Sequence, residues 1–509
     1  LAQVPANSTG IDPKAKHFAT EHLRSDLKGR SVRSGLITLI SASTGFVISM
    51  TATAILARLL DPGDFGLIGM VSVIVSFIIL FKDMGLSMAT VQQEHITHDQ
   101  VSTLFWINVG ISCIIAAITA SAAPFIAWFY NEPRLLWIAL VTSPGHIVSG
   151  LIIQHQALLR RQMRFGTLSA IEITSQLSSI ATAVIMAWHG FGYWSLVAQT
   201  LSYQAVNLVM VWLTSGWIPG KPVHASGVRP MLRFGGFLTG FNLTNHFARN
   251  LDNILIGKFA GSGELGLYQK AYTLLMLPIN QINTPITAVA IPALSRLQQD
   301  PAGYRRYYQR AIGLLVIIGM PVIAFAAASA KLIILILLGE KWIDAVELFC
   351  ALSPAAFIGT FNVATGWVYM SMGTTDRQFR YGIVASILTC TGFVIGAHWG
   401  PIGVAWSLSI NFMLIRYPAV AYCFKDTPLR PRDLGVVLYR PALAAISSGI
   451  AIWYVYQQYL QSWNLIGAFA TMLGLFAVCY LLIWMILPGG PRHLLDTVKL
   501  LKEIKGKRG

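Results

Sequence analysis

Apolar spans of about 20 residues recur from end to end of this 509-residue chain, and that recurrence limits its fold more than any other feature. A stretch of this length crosses the hydrocarbon core of a bilayer as an α-helix, which satisfies its backbone polar groups internally. The spans fall at approximately 35–57, 64–86, 102–125, 134–157, 167–188, 192–214, 234–257, 268–293, 309–330, 345–371, 381–398, 401–423, 438–459 and 464–487. An all-α polytopic membrane protein of fourteen transmembrane helices is therefore expected, with short connections and no inserted soluble domain. Composition agrees: 55% of residues are hydrophobic and 11% charged, against about 25% charged in soluble domains.

The net charge of +16 would suggest nucleic acid in a soluble chain, but its distribution among the loops gives a different account. With residues 1–33 cytoplasmic, the same side receives Arg160, Arg161 and Arg164, then Lys221, Arg229 and Arg233, then Arg296, Arg305, Arg306 and Arg310. Lys425, Arg430, Arg432 and the basic tail join them, whereas the opposite side receives Arg58, Arg134, Lys258 and Lys341. By the positive-inside rule both termini are expected in the cytoplasm, and the excess charge reads as a topology signal rather than a nucleic-acid surface. Residues 1–33 hold no apolar run of signal-peptide length, so no cleaved signal is expected. The five cysteines are scattered through apolar spans, which argues against a metal site or a disulfide framework.

The chain also repeats itself. LLDPGDFGL at 59–67 matches FAGSGELGL at 259–267, HGFGYWSL at 189–196 resembles WGPIGVAWSL at 399–408, and Pro144 and Pro354 stand at similar points. Six spans separate equivalent points, so both halves enter from the same side and the repeat is parallel, with its axis along the membrane normal. The expected organisation is an amino-terminal segment 1–33, a first six-helix lobe 34–214, an inter-lobe loop 215–233 and a second six-helix lobe 234–423. Two further spans, 424–488, and a basic tail, 489–509, follow. In the tail Leu494, Val498, Leu501 and Ile504 share one face, as suits an interfacial helix or a solvated terminus.

One span carries far more polarity than a lipid-facing helix can hold. Asn242, Asn245, Arg249 and Asp252 are spaced to share one helical face, with His246, Asn250 and Asn253 on the adjoining stripe. An Arg or Asp at the bilayer centre costs roughly 2.5–3.5 kcal/mol on insertion scales, so such residues pair, line a cavity or meet a polar ligand. This span is expected to wall a transport cavity. Arg249 is the foremost candidate for an anionic group, because guanidinium stays charged and presents a planar fork of donors. The alternative is an Arg249–Asp252 pair that only stabilises the lobe. Lys270, Arg58 and Arg416 are further cationic candidates, although the first two also suit snorkelling at an interface. Asn280, Gln281 and Asn362 extend the polar lining or join helices together. Glu172, in the fifth span, and Asp252 are candidates to exchange a coupling ion, although Glu172 equally suits a carboxylate that faces the polar cavity or is hydrogen-bonded to Ser or Thr. Pro278, Pro285, Pro321 and Pro354 interrupt helices as fixed kinks or as points of bending.

The run GELGLYQKAYTLLMLPINQINTPITAVAIPALSRL at 263–297, with ARLLDPGDFGL at 57–67 as its first-half counterpart, resembles Wzx-type polysaccharide flippases of the multidrug/oligosaccharidyl-lipid/polysaccharide superfamily. The likeness covers essentially the whole chain and is nearest the lipopolysaccharide, colanic acid and xanthan exporter group. It implies two six-helix lobes in a MATE-like V, with the additional two helices found in peptidoglycan lipid flippases. It also implies translocation of an undecaprenyl-pyrophosphate-linked oligosaccharide from the cytoplasmic to the periplasmic leaflet of the bacterial inner membrane, by alternating access. No cofactor is implied beyond a coupling ion, H+ or Na+. The implied partners are the lipid-linked cargo, membrane lipids and polysaccharide polymerase or chain-length machinery.

A diphosphate joined to sugars needs fixed cations together with amide and hydroxyl partners, and this chain carries both. A MATE-type multidrug antiporter shares the implied fold, but a site for organic cations calls for more acidic residues than Glu172, Asp83 and Asp252. A membrane glycosyltransferase or polymerase calls for catalytic residues on sizeable outer loops, which are short here. The chain has no GxxxxGK[ST] run for coupling to ATP.

Overall fold

A computed structural model describes residues 27–79, 87, 90–91, 93, 96–223 and 229–488, with the backbone alone over 27–39, 79 and 229–249. Every regular element among these residues is helical. The chain divides between Phe247 and Ala248 into two compact units.

Unit 1 contains α1 (Leu27–Leu59), α2 (Pro62–Ile79), α3 (His98–Tyr130), α4 (Arg134–Thr142), α5 (Pro144–Arg161), α6 (Phe165–Trp188) and α7 (Trp194–Ser215). Polar residues set the boundaries. Thr97 and Gln100 form a capping box at the start of α3, at 3.3 and 3.0 Å, satisfying two otherwise orphaned N–H groups. Asn131, in the left-handed region at φ 55°, closes its far end. Pro144 occupies the first turn of α5, where its missing N–H costs nothing. In the packed unit α6 runs along α7, α1 lies on α6, and α5 joins α3 to α7. Small apolar clusters hold these contacts, among them Leu56, Ala183 and Leu196 between α1, α6 and α7, and Ile152, Ile171 and Val211 between α5, α6 and α7.

The long helix α8 (Arg229–Arg296) leads into unit 2, which continues with α9 (Pro301–Ala328), α10 (Ala330–Leu337), α11 (Ala345–Ser371), α12 (Thr375–Gly396), α13 (Gly400–Phe424), α14 (Pro431–Val455) and α15 (Leu465–Ile486). The pairing of unit 1 recurs: α12 runs along α13, and α11 joins α9 to α13. Between α12 and α13 the backbones approach closely, because a Cβ on Gly396 would meet the Gly403 carbonyl and one on Gly403 the Gly396 carbonyl. Arg377 ties the other end of this pair, donating to the Lys425 carbonyl at 2.8 Å and to Asp426 at 2.6 Å. That bond holds the exposed Asp426 carboxyl below the usual carboxylate range.

The last two long helices are part of the unit 2 core. Phe325 of α9 meets Phe469 and Phe476 of α15, each at 5.5 Å between ring centroids. Arg305 of α9 forms an ion pair with the buried Asp433 of α14. Residues of α9, α11, α13, α14 and α15 share one apolar cluster that includes Ile312, Trp367, Val420, Ala444 and Met472.

Eleven helices among the described residues are long and apolar enough to cross a membrane, fewer than the fourteen expected from the sequence. Two of them, Asn250–Arg296 and Thr375–Phe424, each extend over two of the expected spans, and Pro62–Ile78 is apolar but shorter. Inside the first, Gly261 breaks the helical path at φ 86° and ψ −178°, a region favourable to glycine. The second turns at Gly400, φ 69°. The break at Gly261 falls where the sequence repeat places it. Its counterpart in the first copy is Asp61, which lies between α1 and α2, with its N–H donated to Asp64 at 3.1 Å.

Candidate functional site

Three helices of unit 1 place polar side chains around a cavity of about 550 Å³. On α6, Glu172, Gln176 and Ser179 face it at helical spacing. On α7, Gln199, Tyr203 and Asn207 form a second stripe, four residues apart, and Ser149, Ile153 and Gln156 complete the wall from α5. The side chains hold one another in place. The Tyr203 hydroxyl donates to Glu172 Oε2 at 2.7 Å, and Gln156 Nε2 donates to Asn207 Oδ1 at 3.1 Å. Gln176 Nε2 reaches the Gly45 carbonyl of α1 at 3.3 Å. Chemically this is a concave, preorganised set of donors and acceptors containing one carboxylate, and its described lining includes no Lys, Arg or His.

Unit 2 builds something different. On α13, Arg416 donates to Asn362 Oδ1 and, at 3.4 Å, to Thr365 Oγ1 of α11. Its guanidinium lies 5.4 Å from the centroid of the Phe361 ring, within cation–π range. Phe361, Asn362 and Thr365 lie within about one turn of α11, and the packing of α13 on α11 brings ring, amide and hydroxyl to the same arginine. The Arg416 Nε is buried without a hydrogen-bond partner. A guanidinium held in this way retains donors for an anion.

A second polar group in unit 2 bridges the two arms of α8. The buried Asp252 accepts from the Tyr268 hydroxyl at 2.8 Å and from the Asn253 backbone N–H at 2.8 Å. Beside it Gln269 Nε2 donates to Asn253 Oδ1 at 3.1 Å. The Gly261 break folds the arm carrying Asp252 and Asn253 against the arm carrying Tyr268 and Gln269. Asp252 thus ties the two arms together through a hydroxyl and a backbone N–H.

The structure brings together some of the residues singled out in the sequence. Arg416 and Asn362 are bonded, as are Asp252 and Asn253, and Glu172 opens into the unit 1 cavity. Asn280 and Gln281 are exposed on α8 and take no part in these groups. Arg58 is exposed at the end of α1, and Lys270 is half-buried two residues beyond Tyr268. The side chains of Asn242, Asn245, His246 and Arg249 lie outside the described residues. Sequence reasoning passed over the amides around Glu172, together with Tyr203 and Tyr268. The signal was available: 172–176–179 and 199–203–207 are polar stripes within apolar spans.

Residues 55–347, more than half of the chain, match the family model described as polysaccharide biosynthesis protein. The lipopolysaccharide biosynthesis protein WzxC of Escherichia coli K12 is 26% identical over 393 residues, covering 75% of this chain and 77% of that protein. Among solved structures, the lipid II flippase MurJ in an inward closed conformation matches with a TM-score of 0.70 at 14% identity, over 89% of this chain and 98% of that one. An inward-facing multidrug resistance MATE transporter of the MOP superfamily matches at 0.58 and 13% identity, over 82% and 96%. The fold is therefore of the MurJ and MATE kind.

Proposed function

The chain belongs to the polysaccharide biosynthesis protein family, and from that premise we propose that it is a flippase for lipid-linked saccharide. It transfers oligosaccharide repeat units carried on undecaprenyl diphosphate from the cytoplasmic to the periplasmic leaflet, by alternating access, as a transporter and not an enzyme. Family membership and the likeness to a lipopolysaccharide biosynthesis protein support this reading over multidrug antiport, because the fold alone serves both a lipid II flippase and a MATE transporter. Its place is the bacterial inner membrane with both termini in the cytoplasm, as the loop charges favour. A polysaccharide polymerase is the partner that consumes the translocated unit.

One observation in the site carries the proposal: Arg416, a cation within a membrane-spanning unit, is oriented by Asn362 and Thr365. A diphosphate needs a fixed fork of donors in a weakly screening environment. Arg249 and Lys270 are proposed as further cations on the path. Glu172 is proposed to exchange the coupling ion, because it opens into a cavity, whereas Asp252 is buried and already bonded.

The test is transfer of lipid-diphosphate oligosaccharide, extracted from host membranes, in proteoliposomes containing the purified protein. Protein-dependent transfer is expected, with competition by unlabelled lipid-linked substrate. Failure to move it, combined with export of a cationic dye, would overturn the flippase reading in favour of drug antiport.

A further inference from the structure

We propose that the cavity of unit 1 is a subsite for the uncharged saccharide part of the cargo, separate from any anion site of unit 2; this rests on the flippase reading. At about 550 Å³ the cavity is of ligand-binding size. Its chemistry selects the occupant by what it offers and by what it lacks. A diphosphate is disfavoured, because the described lining has no cation and includes the carboxylate of Glu172. An apolar chain is disfavoured too, because it would strip water from Gln156, Gln176, Gln199, Tyr203 and Asn207 without replacing the lost hydrogen bonds.

A sugar meets both conditions. Each ring hydroxyl is at once a donor and an acceptor, and a carboxamide presents one acceptor oxygen beside a two-proton donor. Two such amides, Gln156 and Asn207, already share a bond at 3.1 Å, and the pair Tyr203–Glu172 stands at 2.7 Å. Each pair keeps unused donor or acceptor capacity directed by the bond it has made, which lowers the ordering cost of binding. Ile152 and Ile153 add an apolar patch for the C–H face of a pyranose ring.

The repeat sharpens the argument. Gln204 lies ten residues beyond Trp194 of the first Trp-Ser-Leu run, and Arg416 lies ten residues beyond Trp406 of the second. At equivalent positions of α7 and α13, unit 1 therefore lines its cavity with a neutral amide and unit 2 carries a guanidinium. The two units divide the cargo's neutral and anionic chemistry between them.

Cysteine protection tests this directly. All five native cysteines are replaced, and Gln199→Cys or Thr200→Cys is introduced singly in protein embedded in lipid nanodiscs. The rate of modification by a small neutral thiol reagent is then followed with two probes. One is the oligosaccharide released by mild acid from the host's exported polysaccharide, free of lipid and phosphate; the other is inorganic pyrophosphate. The oligosaccharide should slow modification about fivefold and pyrophosphate should not, and adding Tyr203→Phe with Asn207→Ala should raise the concentration needed roughly tenfold, the loss of about one hydrogen bond's free energy. Absence of protection by the oligosaccharide, or equal protection by pyrophosphate, would overturn the proposal. Transfer of lipid-linked substrate by the cysteine-free parent protein separates the readings. Transfer without protection rejects the saccharide subsite alone, and no transfer by the unsubstituted protein rejects the flippase reading and this inference with it.

Discussion

Units 1 and 2 repeat a common arrangement and fill it with different chemistry. In unit 1, α6 runs along α7 and α5 against α7; in unit 2, α12 runs along α13 and α11 against α13. The break between α1 and α2 at Asp61 has its counterpart in α8 at Gly261. Yet the polar groups lining the unit 1 cavity are amides and hydroxyls around one carboxylate, while the site in unit 2 has a guanidinium bound to an amide and a hydroxyl. The backbone plan is set by span length and by the turns. The side chains that decide a ligand are therefore free to diverge on it, because exchanging an amide for a guanidinium within a helix leaves its hydrogen-bond ladder intact.

The strongest test of this division removes charge from unit 2. Arg249→Ala is expected to abolish transfer in proteoliposomes while protein level and membrane insertion stay near normal, and Arg249→Lys to recover part of it, because charge survives where the fork does not. The double variant Arg249→Ala with Asp252→Ala should stay inactive. An active, well-folded double variant would instead mean that Arg249 serves only to neutralise Asp252.

A smaller loss is expected when unit 2 is made to resemble unit 1. Arg416→Gln installs the residue found at the equivalent position, and transfer should fall roughly 10- to 100-fold, the equivalent of about 1.5–3 kcal/mol for charged hydrogen bonds. Transfer at the unsubstituted rate would remove Arg416 from the anion path and break the contrast between the units.

In unit 1, Glu172→Gln keeps the shape and loses the carboxylate. Transfer without an imposed ion gradient should stay within about threefold, as for one neutral hydrogen bond replaced by another, while acceleration by a proton gradient disappears. A full response to the gradient would place coupling elsewhere.

Tyr268→Phe leaves Asp252 Oδ2 buried without that donor, and should lower stability by about 1–3 kcal/mol, read as a reduced melting midpoint in detergent. The smallest effect is expected at Asp426→Asn. The Arg377 bond favours the ionised carboxylate and so lowers its pKa; its contribution is fully present above the usual carboxylate range and is lost as pH falls through the depressed value. Melting midpoints of the two proteins should therefore differ slightly at neutral pH and converge in acid.

Much of this architecture is readable in the sequence because its cause is local. Twenty apolar residues report a crossing helix regardless of their neighbours, and the LLDPGDFGL and FAGSGELGL runs mark the same break in both copies. The sites are less legible. In the sequence Arg416 is one cation among several, because only tertiary packing brings Asn362 and Thr365 of α11 to it. Helical spacing sets Asp252 near Arg249 in the sequence, whereas the bond to Tyr268 arises from a fold-back at Gly261 that spacing along one helix cannot register. The unit 1 cavity needs three helices to converge, and single amides in apolar spans read equally well as helix-to-helix contacts.

The anchoring of α14 and α15 in the unit 2 core bears on the order in which the protein is made. Chains emerge from the ribosome amino terminus first, and domains generally fold as units in that order. The helices that pack together in unit 1 are complete once Ser215 has been synthesised. Unit 2 must wait for almost its entire length, since Phe325 and Arg305 of α9 find Phe469, Phe476 and Asp433 only after the last two helices have entered the membrane. During that interval Arg305 of α9 lacks its acidic partner and Phe325 lacks the rings that pack on it. A chain interrupted before Pro431 is thus expected to leave unit 1 assembled and unit 2 open to quality-control proteolysis, which makes the carboxy-terminal helices the final checkpoint of biogenesis.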